Sequence, residues 1–316
     1  MTAENLKGRF APSPTGRMHL GNMATALLSW LSAKSRGGRW LLRIEDLDPQ
    51  RSRLEYAQLI EDDLQWLGLD WDEGGIDGRG SAGPYMQSQR GDIYAEYLGR
   101  LIESGDVYPC SCRRKDLLST QAPHLADGRV VYSGRCRPAP TPPYNVSRND
   151  FDARAARLYV APGVIDYTDG VFGPQSVDLA RECGDFILRR ADGAWAYQLA
   201  VVADDALMGV TEVTRGCDLL LSAAQQIYLM RRFGWQPPQY YHVPLVCNES
   251  GQRLCKRDRA LDMEHLRRRF SAAQLLGELA CICGLQLTPD ATSLPALLSN
   301  FSWSSVPARS SIITAL

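Results

Sequence analysis

The sequence predicts an α/β protein: a doubly wound parallel sheet interrupted by a compact insert and followed by a short helical C-terminal part. Three observations carry this. Strand-like and helix-like segments alternate through the first third of the chain. A Pro/Gly-rich loop, Pro12 to Gly16, joins the first strand candidate to the first helix candidate. From Asp106 to about Gly163 the periodicity fades while Pro138, Pro140, Pro142 and Pro143 cluster. Strand, helix and strand in succession imply a crossover connection, which makes the paired strands parallel.

In order, Lys7 to Ala11 is the first strand and Leu20 to about Ala33 an apolar helix. Arg39 to Ile44 reads as a buried strand because apolar residues fill it. Ser52 to Leu67 sets Leu54, Leu59, Ile60, Leu64 and Leu67 close to helical spacing, and Asp92 to Ser104 is a further helix. Beyond the insert, Asp185 to Arg190, Trp195 to Val202 and Thr211 to Thr214 read as strands, and about Leu219 to Phe233 as a helix. The expected divisions are 1–105 and 183–245 for the halves of the nucleotide-binding sheet, 106–182 for the insert, and 246–316 for a basic loop and helical tail.

With 316 residues, 45% hydrophobic and 22% charged, the chain has the composition of an ordinary globular protein rather than a disordered one. No run reaches the roughly 18 apolar residues that span a bilayer, and Met1 to Phe10 lacks the apolar stretch of a signal peptide, so a cytoplasmic protein without membrane partners is expected. A net charge of −1 excludes a globally basic nucleic-acid binder and leaves only local contacts. Arg231-Arg232 and Arg267 to Arg269 are candidates for phosphate, with a solvated helix face the plainer explanation. Nine cysteines, an odd number, argue against a disulfide framework.

The chemistry-bearing segments lie far apart. Pro12-Ser13-Pro14-Thr15-Gly16 leads into His19-Leu20-Gly21-Asn22 at the start of the first helix, where N–H groups and the helix dipole favour phosphate. Arg253 to Arg257, with Lys256, brings cations on a polar stretch. A polyphosphate held between the two would account for both. Arg43 to Asp48 sits at the carboxyl end of the second strand, where open α/β sheets bind ligands, and its Glu45 suits an ammonium group. Tyr197 lies inside an apolar run that ends in Asp204 and Asp205, and Arg215 offers a carboxylate-gripping guanidinium. Inside the insert, Cys110, Cys112 and Cys136 provide three thiols for zinc, with Tyr132 or His124 as the fourth ligand. Cys281 and Cys283 have the same spacing as the first pair but lie in an apolar helical stretch, and read as core.

Together these residues resemble the class I aminoacyl-tRNA synthetases of the glutamyl type. The resemblance is carried by Arg9 to Gly16, His19 to Asn22, Arg43 to Asp46, Tyr197 with its Gln-Leu-Ala-Val-Val continuation, Arg215-Gly216, and Arg253 to Arg257. The residues after Arg257 are too few for a helical anticodon-binding region. That shortness is similar to the family of truncated paralogues that modify tRNA rather than charge it.

The resemblance implies a Rossmann-type sheet with a zinc-containing insert, Tyr132 completing Cys110, Cys112 and Cys136. It implies that ATP, with Mg2+, activates L-glutamate to glutamyl-adenylate, and that glutamate passes to the queuosine base in the anticodon of tRNA(Asp). Arg9, Phe10, Ala11, Pro12, Ser13, Glu45, Tyr197 and Arg215 would hold glutamate; His19, Gly21, Asn22 and Lys256 would hold ATP, with His19 and Lys256 catalytic. A monomer is expected. The chain departs from the family in the basic loop, where Arg253 and Cys255 replace a lysine and a serine, and at Asn22, where the class pattern has a second histidine. Three alternatives stay open: charging of tRNA(Glu), an inactive binder of tRNA or adenylate, and a nucleotidyltransferase acting on another small molecule.

Overall fold

The computed structural model describes residues 6–113, 131–247, 261–309 and 311–312. The chain begins β1 (Lys7–Phe10), α1 (Leu20–Lys34), β2 (Arg39–Leu42), α2 (Leu54–Trp66), β3 (Glu73–Gly74) and α3 (Gly91–Glu103). Next come β4 (Val107–Cys110), β5 (Ala155–Leu158), β6 (Val164–Asp169), β7 (Gly173–Asp178), α4 (Leu179–Glu182) and β8 (Phe186–Arg189). The second half is α5 (Tyr197–Leu207), β9 (Glu212–Gly216), α6 (Leu220–Arg232), β10 (Gln239–Val243) and β11 (Val246–Cys247). The tail is α7 (Met263–Arg269), α8 (Ala272–Ile282), α9 (Leu294–Asn300) and β12 (Ser311–Ile312).

A five-stranded sheet of order β10-β9-β1-β2-β3 runs parallel throughout. From the central β1 the chain winds outward to β2 and β3, then returns to β9 on the other side and continues to β10. Neighbouring connections therefore leave in opposite directions at the carboxyl ends of β1 and β9, and the crevice that opens there is where such sheets take ligands.

Helix α1 is buried on nearly every side, from Leu20 through Ala33, because it is covered by the sheet on one face and by the tail on the other. Met23, Leu27 and Leu31 share one core with Met263, Leu266, Leu275 and Leu279 of α7 and α8. Cys283 is buried in that core and Cys281 half-buried, in keeping with their reading as packing residues.

Two segments differ from the sequence reading. Trp195 to Val202 is not a strand: Tyr197–Leu207 is a helix. Leu199 through Asp205 are all buried, and a helix covered all round shows no polar face to reveal its period. Strand β8, read as the return to the parallel sheet, instead pairs antiparallel with β5 in a sheet of order β4-β5-β8. Hairpin β6–β7 is a second small sheet, packed against β10, and its turn lies so close that a Cβ at Gly170 would stand 2.0 Å from the Tyr241 ring. Among the described residues no helix is long and apolar enough to cross a membrane.

Candidate active site

A cleft of about 520 Å³ occupies the crevice between β1 and β9. Its walls are the loop after β1, the first turn of α1, the end of β9, and Pro244 to Val246. The β1 loop is held by backbone contacts: Glu45 N–H donates to Pro12 O at 3.0 Å and Arg53 N–H to Pro14 O at 2.9 Å. Arg17, in the same loop, forms a bidentate pair with Asp63 at 3.0 and 2.7 Å. Asp63 also accepts from Arg267 Nη1 at 3.0 Å, so α7 is tied to the loop through one buried carboxylate.

His19 is the N-cap of α1. Its Nδ1 accepts from Gly21 N–H at 3.1 Å, while Asn22 Oδ1 accepts from His19 N–H at 3.1 Å. In a neutral ring this capping puts the imidazole proton on Nε2, leaving that atom a donor. A Cβ at Gly21 would meet the His19 ring at 3.2 Å and Val246 at 3.5 Å, which explains a glycine there. Asn22, standing where a second histidine was expected, keeps the helix start in place. The segment ahead of α7 is anchored beside it: Met263 N–H donates to Met18 O at 2.9 Å, and His19 bridges to Asp262.

The other end of the cleft is cationic and buried. Arg9, 3% exposed, donates to Thr214 O at 3.2 Å and lies 3.5 Å from Asp205. Arg43 donates to Asp205 at 2.7 Å and to Glu45 at 3.0 Å. Burial pushes the Glu45 carboxyl up, and the Arg43 and Arg9 charges act against it. Burial acts the same way on Asp205, but there Arg43 and Arg9 prevail and hold it below the usual carboxylate range. Arg215 donates through Nη1 to Gln226 at 2.7 Å, through Nη2 to Leu219 O at 3.3 Å and through Nε to His242 Nε2 at 3.1 Å; Tyr197 Oη is 3.5 Å from Nη1.

In the insert the sulfurs of Cys110, Cys112 and Cys136 lie within 4.8 Å of one another. Tyr132 Oη is 3.6 Å from Cys110 Sγ and accepts from Cys136 N–H at 2.8 Å. Tetrahedral zinc with sulfur ligands at about 2.3 Å needs sulfurs under 4 Å apart, so this set can close on one ion with little movement. Burial acts to raise the Cys136 thiol, yet donated hydrogen bonds, the Ser111 N–H foremost, bring it down to about 7.

The structure thus brings Arg9, Phe10, Ala11, Pro12, Ser13, His19, Gly21, Asn22 and Arg215 to one cleft. Glu45 and Tyr197 adjoin it rather than line it, Glu45 through its backbone contact with Pro12 and Tyr197 through Arg215. Arg253, Cys255, Lys256 and Arg257 of the basic loop, and His124, lie outside the described residues. The basic clusters are largely spoken for: Arg232 pairs with Asp106, Arg267 with Asp62 and Asp63, and Arg268 with Glu264. Sequence reasoning missed Gln226 and His242, which hold Arg215, and Asp169, which holds His242. Two of them lie in stretches it left unassigned, and no local pattern marks any of them.

The family described as tRNA synthetases class I (E and Q), catalytic domain, matches residues 5–278. Among curated proteins, glutamyl-Q tRNA(Asp) synthetase of Nitratidesulfovibrio vulgaris is 48% identical over 89% of this chain and 87% of its own. That of Deinococcus radiodurans is 44% identical over 92% and 94%. Among solved structures, a glutamate tRNA ligase of Elizabethkingia meningosepticum in complex with its amino acid superposes with a TM-score of 0.82. It is 27% identical, and the match covers 98% of this chain and 67% of that one.

Proposed function

Since the chain belongs to the family of class I tRNA synthetases for glutamate and glutamine, we propose that it activates L-glutamate with ATP and transfers it to the queuosine base of tRNA(Asp). The observation that carries this reading is the agreement over nearly full length with relatives named for that reaction, three of them 43–48% identical over 89–96% of this chain. The cleft supports it: a helix N-terminus suited to phosphate faces two buried guanidiniums suited to a carboxylate.

ATP enters as its magnesium complex, the metal neutralising phosphate charge. An α-carboxylate oxygen of glutamate attacks the α-phosphorus, pyrophosphate leaves, and the acyl group then passes to the base with AMP departing. No protein nucleophile is needed, so positioning and charge stabilisation do the catalysis. The α1 N-terminus and His19 Nε2–H take the phosphates, and Lys256 adds its charge to them. Arg9 and Arg215 take the side-chain carboxylate of glutamate, with Tyr197 beside Arg215 and Glu45 suited to the ammonium group. Cys110, Cys112, Cys136 and Tyr132 hold one zinc ion, which would crosslink the insert. The catalytic unit comprises residues 1–105 with the second half of the sheet, and the insert extends past residue 182 to include β8.

Transfer of labelled glutamate to tRNA(Asp) with and without queuosine, with tRNA(Glu) in parallel and ATP–pyrophosphate exchange as control, tests the reading. Label on queuosine-containing tRNA(Asp) alone is the expected result. Label on tRNA(Glu) makes this a charging enzyme, and absence of glutamate-dependent exchange makes it a binder.

A further inference from the structure

The guanidinium of Arg215 is held by a buried chain of two residues that reaches it from outside the cleft. Asp169, at the end of β6, lies 2.6 Å from Nδ1 of His242 on β10, and both side chains are fully buried. His242 Nε2 stands 3.1 Å from Arg215 Nε. An arginine Nε–H only donates, so His242 must accept at Nε2, and its single proton must sit on Nδ1 facing Asp169. Asp169 therefore selects the tautomer that receives Arg215. Asp169 is itself fixed by the N–H groups of Val171 and Phe172 at 3.0 and 2.9 Å and by His242 N–H. Tyr240 completes the seat: its ring stacks on His242 at 13° and lies 5.1 Å beneath the Arg215 guanidinium.

With Nε on His242 and one Nη1–H on Gln226, the fork of Arg215 is left with its Nη1–Nη2 edge for the cleft, beside Tyr197 Oη and Leu219 O. We propose that Asp169 and His242 are positioning residues for that edge, so that the β6–β7 hairpin sets the affinity for glutamate. This rests on reading Arg215 as a carboxylate-binding group.

Two substitutions separate the contacts. In His242→Asn the amide nitrogen can stand where Nδ1 does and keep Asp169, but nothing accepts from Arg215. In His242→Gln the amide oxygen can stand where Nε2 does and keep Arg215. Initial rates of ATP–pyrophosphate exchange, in the presence of tRNA(Asp), are measured against glutamate and against ATP, with thermal unfolding as a check on folding. Losing a hydrogen bond to a charged group corresponds to about a 10- to 100-fold effect. His242→Asn should raise KM for glutamate by that factor while kcat and KM for ATP move by less than about threefold, and His242→Gln should recover most of the loss. An unchanged KM for glutamate in a folded His242→Asn protein overturns the proposal. Equal losses in kcat and in both KM values for the two variants overturn it as well, since they mark a general packing role. Wild-type protein without glutamate-dependent exchange would overturn the glutamate reading itself, before either variant is compared.

Discussion

At the scale of single residues, the cleft separates groups that hold charge from groups that hold those groups. Lys256 belongs to the first kind by its place in the sequence. Lys256→Ala should cut adenylate formation by roughly 10² or more, the scale of removing a charge-stabilising group; near-normal ATP–pyrophosphate exchange would take Lys256 out of the mechanism. Asp205 and Asp169 belong to the second kind, and their ionisation bears on stability. Burial tends to raise both carboxyls, but Arg43 and Arg9 at Asp205, and His242 at Asp169, hold them below the ordinary value of 3.8. Just below that pH the folded chain carries fewer protons than the unfolded one, so the stability they contribute is complete above about pH 4 and lost as pH falls through their folded values. Glu45, raised by burial, works in the opposite sense at somewhat higher pH. Melting temperature followed from about pH 5 to 3 should fall less steeply in Asp169→Asn than in wild type. An identical slope would remove Asp169 from the acid response.

At the scale of elements, the insert lacks a large core of its own. Its sheet β4-β5-β8 closes on Tyr108, Cys110, Tyr132, Tyr144, Ala155 and Tyr159, mostly aromatic rings with polar tips. Arg157 lies over the Tyr132 ring at 3.7 Å and donates to Cys110 Sγ at 3.2 Å, which ties the two side chains to one strand. A metal staple suits such an element, because ion binding adds folding free energy where apolar burial is small. Elemental analysis should find one zinc per chain, falling toward zero in Cys112→Ser and Cys136→Ser. Amide exchange across Val107–Cys110 and Ala155–Leu158 should quicken in the same variants, with α1 and β1 unaffected. Full zinc retention in both variants would move the site elsewhere.

At the scale of the whole molecule, the tail shares a core with α1, the helix whose start lines the cleft. Helix α8 covers α1 on the side away from the sheet, and Leu279, wholly buried, packs in the core that contains Met23 and Leu27. Leu279→Ala should therefore lower stability by about 2–5 kcal/mol, the usual loss for a buried leucine, and show as a fall in melting temperature of the catalytic sheet itself. A separate low-temperature transition, with the sheet unaffected, would mean that the tail folds independently. Much of this molecule was legible in its sequence. The alternation of short apolar runs along the chain implied a parallel sheet, and the residues around Arg9, His19 and Arg215 marked the cleft, because local pattern and residue chemistry travel with the chain. Other features were decided only by tertiary structure. Tyr197–Leu207 is a helix whose period could not be read, because neighbours bury Leu199 through Asp205 on every side. β8 joined β5 because pairing partners are chosen in space. Asp169 and His242, far apart in sequence, meet behind Arg215 because the hairpin folds onto β10, and a contact made by packing leaves no mark on the residues flanking either partner.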